Sequence, residues 1–139
     1  MDYLDLIKPY LTRQEFHKLR HVAGKYPPFL IVCSLCYFFR CCDDIPIEKK
    51  TLFICCLSLT TKYHSDFGIK KGLLPWSKRY EIPLIVLHAC EQDLIKFLNY
   101  KLHVPYEEIM RLKKLYSYFK NEQIVLTLAS RVEGIKINA

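Results

Sequence analysis

Apolar positions along this chain gather into a short N-terminal block and six longer ones, and their spacing is helical rather than alternating. Residues 2–10 place Leu4, Leu6 and Ile7 on one side of a short amphipathic helix that ends near Pro9. Thr12-Arg13-Gln14-Glu15 reads as a capping box, in which the Thr12 hydroxyl and the Glu15 carboxylate each satisfy an orphan backbone N–H. The first full helix follows, with Phe16, Leu19, Val22 and Ala23 on one face, and stops by Gly24 or Tyr26. Pro27-Pro28 then breaks the chain and opens the second helix, because proline is tolerated in a first turn.

The second helix, roughly 28–42, is apolar nearly all round, from Phe29 through Cys33 to Phe38-Phe39. Asp43-Asp44-Ile45-Pro46 ends it. The third, about 47–64, is equally apolar through Leu52-Phe53-Ile54-Cys55-Cys56-Leu57. A helix that is hydrophobic on every side belongs at the centre of a bundle, so Leu52, Ile54, Cys55, Leu57, Leu59 and Thr60 are expected in the core. Residues 65–81 read as the longest connection, punctuated by Gly68, Gly72 and Pro75 and anchored by Trp76. A fourth helix is expected from Pro83 to Leu102. Pro105 opens a fifth, with Ile109, Leu112, Leu115, Tyr116 and Phe119 as its apolar stripe. A last block, Ile124, Val125, Leu128 and Val132, predicts a sixth helix. The fold class that follows is all-α.

Composition narrows the function classes. A chain of 139 residues makes one ordinary domain whose apolar content, 51%, suffices for a core without a metal or disulfide staple. The longest apolar run, Phe29 to Phe39, stops at Arg40 and is too short to cross a bilayer, so no membrane is expected among the partners. The start, Met1-Asp2-Tyr3-Leu4-Asp5, is acidic and unlike a secretory signal. Seven cysteines, mostly inside apolar helices, therefore read as reduced thiols, and the expected location is nucleus, cytoplasm or both. The net charge of +7 suits an acidic protein surface or nucleic acid and does not choose between them.

No cluster in the sequence points to catalysis. Cys33-x-x-Cys36 with Cys41-Cys42 has a zinc-like count, but these cysteines lie along one helix and point around it, whereas zinc needs four converging ligands. His17 and His21 form an i, i+4 pair with no third ligand evident. Neither a glycine-rich phosphate loop nor a nucleophile elbow occurs. The expectation is a protein with no catalytic residues, no metal and no cofactor. The basic run Arg111, Lys113, Lys114 and Lys120 is placed opposite the apolar stripe of the fifth helix, and Lys70-Lys71 and Lys78-Arg79 flank Trp76.

Two segments carry a resemblance. Leu57-Ser58-Leu59-Thr60-Thr61-Lys62-Tyr63 stands where cyclins have an Ala-Ser-Lys-aromatic sequence. Cys90 to Leu102 is similar, without a gap, to the Glu-led fourth helix of a cyclin box. The resemblance covers about residues 12–120, leaving 1–11 and 121–139 as N- and C-terminal helical segments. It implies a five-helix cyclin box packed around its third helix. The Tyr26-Pro27-Pro28 approach and the stretch from Trp76 to Glu91 resemble fungal phosphate-response cyclins of the Pcl type. Tyr37-Phe38-Phe39-Arg40 and Leu74-Pro75-Trp76 also resemble the single-box Speedy/RINGO kinase activators. Departures are specific: Phe39 stands where many cyclins have an acid, no Met-Arg-x-x-Leu docking sequence occurs, and no second box follows.

The resemblance implies a regulatory subunit that binds a cyclin-dependent protein kinase at its C-helix and activates or redirects it. Lys62 would donate to carbonyls and Glu91 would accept from N–H groups of that helix, while Tyr63, Ile95 and Leu102 would form an apolar floor. Lys62 and Glu91 are expected to be exposed at one end of the third and fourth helices; the competing reading pairs them with each other. The rival function is a cyclin-fold nucleic-acid-binding, transcription or scaffold protein that uses its basic face, as transcription-factor-B-type domains do.

Overall fold

The computed structural model describes residues 2–64 and 73–138, the side chains of 124–138 excepted. Among the described residues there are seven helical segments and no strand, so the chain is all-α. A 3-10 helix, Tyr3–Tyr10, is followed by α1 (Arg13–Ala23), α2 (Pro28–Cys41), α3 (Lys49–His64), α4 (Leu74–Tyr80), α5 (Leu84–Phe97) and α6 (Tyr106–Asn138).

The N-terminal 3-10 helix is held to the bundle by its apolar side. Leu4, Leu6 and Ile7 are buried in the same core as α2 and α3. Asp5 is buried with them, and its carboxylate lies between Lys8 (3.4 Å) and Lys120 of α6 (3.2 Å). The capping box that opens α1 forms as its sequence predicts. The Thr12 N–H donates to Glu15 (2.9 Å) and the Glu15 N–H donates to the Thr12 hydroxyl (3.1 Å). Pro28 sits in the first turn of α2, where its missing N–H costs nothing.

The middle of the molecule is α3. Every residue from Thr51 to Thr61 is buried, including Leu52, Ile54, Cys55, Leu57, Leu59 and Thr60. Polar side chains are tolerated there because they bond back along the helix: the Thr60 and Thr61 hydroxyls donate to the Cys56 and Leu57 carbonyls, each at 2.8 Å. α3 packs mainly on α2 and α5, whereas α6 packs mainly on α2 and on the 3-10 helix. Lys50, beside Glu15 at 3.7 Å, ties α3 to the start of α1.

Five features depart from the sequence reading. Leu74–Tyr80 is a helix rather than connection, since Pro75 in its first turn opens the helix instead of breaking the chain. The rest of that expected connection, residues 65–72, lies outside the described residues. α5 ends at Phe97, because Asn99 and Tyr100 take left-handed backbone conformations (φ 53° and 60°), so Leu102 lies beyond the helix. The expected fifth and sixth helices are one continuous helix, α6, since 119–124 contain neither glycine nor proline to stop it. Its apolar stripe is also narrower than predicted: Leu112 and Tyr116 are buried but Leu115 is exposed. Lys120 does not join a free basic face, because it pairs with Asp5.

Among the described residues no helix is long and apolar enough to cross a membrane.

Candidate functional site

The last turn of α3 and the middle of α5 meet at the residues that the sequence singled out. Lys62 and Glu91 are brought together: Lys62 Nζ lies 2.6 Å from Glu91 Oε1. Their exposures differ sharply. The Lys62 side chain is 46% exposed, while Glu91 as a residue is only 3% exposed. The expectation that both would be exposed is therefore corrected for Glu91. α5 turns its Leu87–Glu91–Leu94 stripe onto α3, and a carboxylate on that stripe goes inside with its leucines. Lys62 lies over it as a half-exposed cover. The second carboxylate oxygen, Glu91 Oε2, is buried with no hydrogen-bond partner among the described residues. A buried acceptor left unsatisfied costs free energy that a hydrogen-bond donor arriving at the site would recover.

The expected apolar floor is only partly continuous. Tyr63 is 53% exposed on the last turn of α3. Ile95 and Leu102 are half-buried and packed against the core, on α5 and in the segment after it. Around Tyr63 stands a group that no local spacing reveals. The His64 ring lies edge-on to Tyr63 (centroids 4.7 Å apart) and to Phe29 at the start of α2 (6.0 Å). The buried Tyr37 hydroxyl donates to the Leu102 carbonyl, which leaves its oxygen free to accept from His64 Nε2 at 2.8 Å. Burial is the main cause that holds the His64 pKa below its ordinary value, and it outweighs the opposing effect of the Leu102 carbonyl. The signal for this group is three-dimensional: Tyr37, His64 and Leu102 are far apart in sequence.

The segment after α5 has a second anchor. Arg40, at the end of α2, grips Glu108 with two parallel bonds, Nε to Oε1 at 2.7 Å and Nη2 to Oε2 at 2.6 Å. Its remaining N–H groups donate to the carbonyls of Lys101 (2.8 Å) and His103 (3.0 Å). One guanidinium thus joins α2, the α5–α6 connection and the first turn of α6, and with Tyr37 it fixes Leu102. Planar bidentate pairs of this kind are the strong end of the ion-pair range.

The outer face of α5 mixes exposed apolar residues with exposed His88, Gln92, Asp93 and Lys96. Ile85 is 78% exposed, and Val86 and Phe97 are also exposed. Arg111, Lys113 and Lys114 stand exposed along α6 with no ion-pair partner among the described residues.

Six of the seven cysteines are buried, and Cys90 is half-buried. Burial raises the thiol pKa of Cys33 to about 11 and of Cys36 and Cys55 to about 12, so they remain protonated and poor nucleophiles. No grouping of three or more His, Cys, Asp or Glu able to hold a metal occurs among the described residues, and His17 and His21 are exposed on α1.

Comparison with protein-family models, with curated proteins and with solved structures finds no match to this chain.

Proposed function

We propose that this chain is a non-catalytic regulatory subunit of cyclin-box type, which binds the C-helix of a cyclin-dependent protein kinase through Lys62, Tyr63, Glu91, Ile95 and Leu102. The Lys62–Glu91 pair is what the competing reading expects, and the observation that supports a partner is the unsatisfied second oxygen of Glu91 at the junction of α3 and α5. A half-exposed ammonium covers a buried carboxylate whose second oxygen lacks a partner, beside an exposed aromatic ring. Two polar anchors of opposite donor sense beside Tyr63 suit the end of a helix, which offers both N–H groups and carbonyls. In this reading Lys62 swings off Glu91 when the kinase arrives and donates to carbonyls, while Glu91 accepts from backbone N–H groups. The exposed Ile85, Val86 and Phe97 of α5 would supply apolar area for the kinase helix. Repositioning of that helix lets its glutamate reach the ATP-site lysine, so activation needs no chemistry in this chain.

The test is affinity for a kinase captured from proliferating-cell extract, measured for Lys62→Ala and Glu91→Gln. Each change is expected to cost about 2–5 kcal/mol of binding, as truncating one partner of a desolvated polar contact does. In the free protein Lys62→Ala also leaves the buried carboxylate without its cation, with a stability loss of about 1–3 kcal/mol. Glu91→Gln keeps the shape of the side chain and separates the two effects. Wild-type affinity in both variants contradicts the proposal.

A second reading, a basic face for nucleic acid, is favoured by the unpaired Arg111, Lys113 and Lys114 on α6. It predicts retention on duplex DNA that weakens steeply with salt and with Lys113→Ala/Lys114→Ala.

A further inference from the structure

The cleft between the end of α1 and the face of α4 collects residues about fifty positions apart in sequence. It encloses about 540 Å³, with Val22, Lys25 and Tyr26 on one wall and Pro75, Lys78 and Arg79 on the other. Trp76, buried to 2% exposure, is the ring between the walls. Three aromatic rings stack here in series. Tyr26 lies on Trp76 (centroids 6.3 Å, planes 17° apart), and Trp76 lies on Tyr80 (5.9 Å, 18°). Lys18 and Lys50 hold the far ring, with their ammonium groups 4.9 and 5.8 Å from the Tyr80 centroid. Of the two rings lining the cleft, Tyr26 is the partly exposed one, and its position is fixed by the stack behind it.

Among the described residues the cations divide into a paired and an unpaired set, and those of this cleft are unpaired, as are Arg111, Lys113 and Lys114 of α6. Arg20, Arg40, Lys50, Lys62 and Lys120 each have a carboxylate within 4 Å. Lys25, Lys78 and Arg79 are exposed, and no carboxylate pairs with them among the described residues. Among the described residues no acid lines the cleft. Three uncompensated cations beside a rigid aromatic wall fit a ligand that alternates negative charge with flat apolar groups. Single-stranded nucleic acid has that alternation, since its bases are free to stack and its phosphates track a basic groove. Duplex would satisfy the cations while keeping its bases inside, and an acidic peptide would leave the aromatic wall unused.

We propose that the α1–α4 cleft is a binding site for single-stranded nucleic acid, with Lys25, Lys78 and Arg79 holding successive phosphates and a base stacked against Tyr26. The site goes beyond the kinase reading and uses none of its residues.

Fluorescence anisotropy of labelled oligo(dT) and oligo(rU) 12-mers over a range of salt tests it on the full chain. Three phosphate contacts predict a slope of log affinity against log salt of about −2. The Lys25→Ala/Lys78→Ala/Arg79→Ala variant is expected to lose at least tenfold in affinity and to flatten that slope. Tyr26→Leu is expected to weaken binding on the order of tenfold without changing the slope, because stacking is not ionic. Lys113→Ala/Lys114→Ala, on α6, should bind as the wild type does, and kinase capture should be unaltered in the triple variant. The proposal is overturned by wild-type binding in the triple variant, by a 12-base-pair duplex binding as tightly as the single strand, or by loss that follows Lys113 and Lys114 instead. Displacement of the oligonucleotide by an equal concentration of a phosphotyrosine peptide overturns it in favour of a phosphoprotein partner. Circular dichroism of each variant accompanies the titrations. Should Tyr26→Leu unfold, the triple variant of exposed cations still decides the outcome.

Discussion

α3 and α5 are both apolar helices, and they pack against each other, yet the first has eleven of its sixteen residues buried and the second only three of fourteen. α3 is enclosed because α2 and α5 cover it and Lys50 ties it to α1. α5 is covered mainly on its α3 side, and Ile85, Val86 and Phe97 remain in solvent on the other. Apolar residues of like character therefore do different work. Those on α3 stabilise the fold, whereas Ile85 on the outer face of α5 contributes little to it. Exposed apolar side chains on α5 and the exposed Tyr63 ring on α3 have the composition of an interaction surface rather than of a core.

The largest expected contrast lies between a leucine of the first helix and an isoleucine of the second. Leu57→Ala should lower unfolding free energy by about 2–5 kcal/mol, as large-to-small changes in a closed core do. Ile85→Ala should change it by no more than about 0.5 kcal/mol. Urea denaturation of both variants measures the difference, and equal losses would erase the distinction between the helices.

Arg40 sharpens the comparison, since it supports the α5 side from α2. Arg40→Ala removes the bidentate bond to Glu108 and the donors to Lys101 and His103. A loss of about 2–3 kcal/mol is expected by the same measurement. Hydrogen exchange should quicken in residues 99–105 while α3 stays protected.

The smallest expected effect is one of pH. The folded state holds the His64 pKa below its usual value, mainly by burial, so the unfolded chain binds the proton more readily. Stability from this group is fully present above the unfolded pKa, about 6.5, and is lost as pH falls through the lower folded value. Thermal midpoints of the wild type should drop between pH 7.5 and 5.5 by more than those of His64→Gln. Equal drops would show that His64 is not the group responsible.

How much of this was legible depends on the range of each interaction. The Thr12–Glu15 box and the Pro28 start of α2 are local, so the sequence alone places them. Burial of α3 follows from a helix with no polar side. Local pattern failed at Pro75, which opens a helix in one context and ends one in another. It failed again at Asn99-Tyr100, where two left-handed residues stop α5 short of Leu102. At the candidate site, the resemblance brought Lys62 and Glu91 to the same place but could not tell that the carboxylate is buried. That depends on which stripe of α5 faces α3, when Leu84, Ile85, Val86 and Leu87 make nearly every side of its first turn apolar. The Arg40–Glu108 and Tyr37–His64–Leu102 links join residues that are remote in sequence, and no period reports them.

Tyr63 gives the most direct test of the central claim, that the α3–α5 junction is a kinase-binding surface. Its side chain is exposed, so Tyr63→Ala should leave the melting temperature of the free protein within about 1–2 °C of wild type. Affinity for the captured kinase, measured by titration calorimetry, should fall by at least about tenfold, the loss expected when an aromatic anchor is truncated. Wild-type affinity in a folded Tyr63→Ala variant would contradict the account.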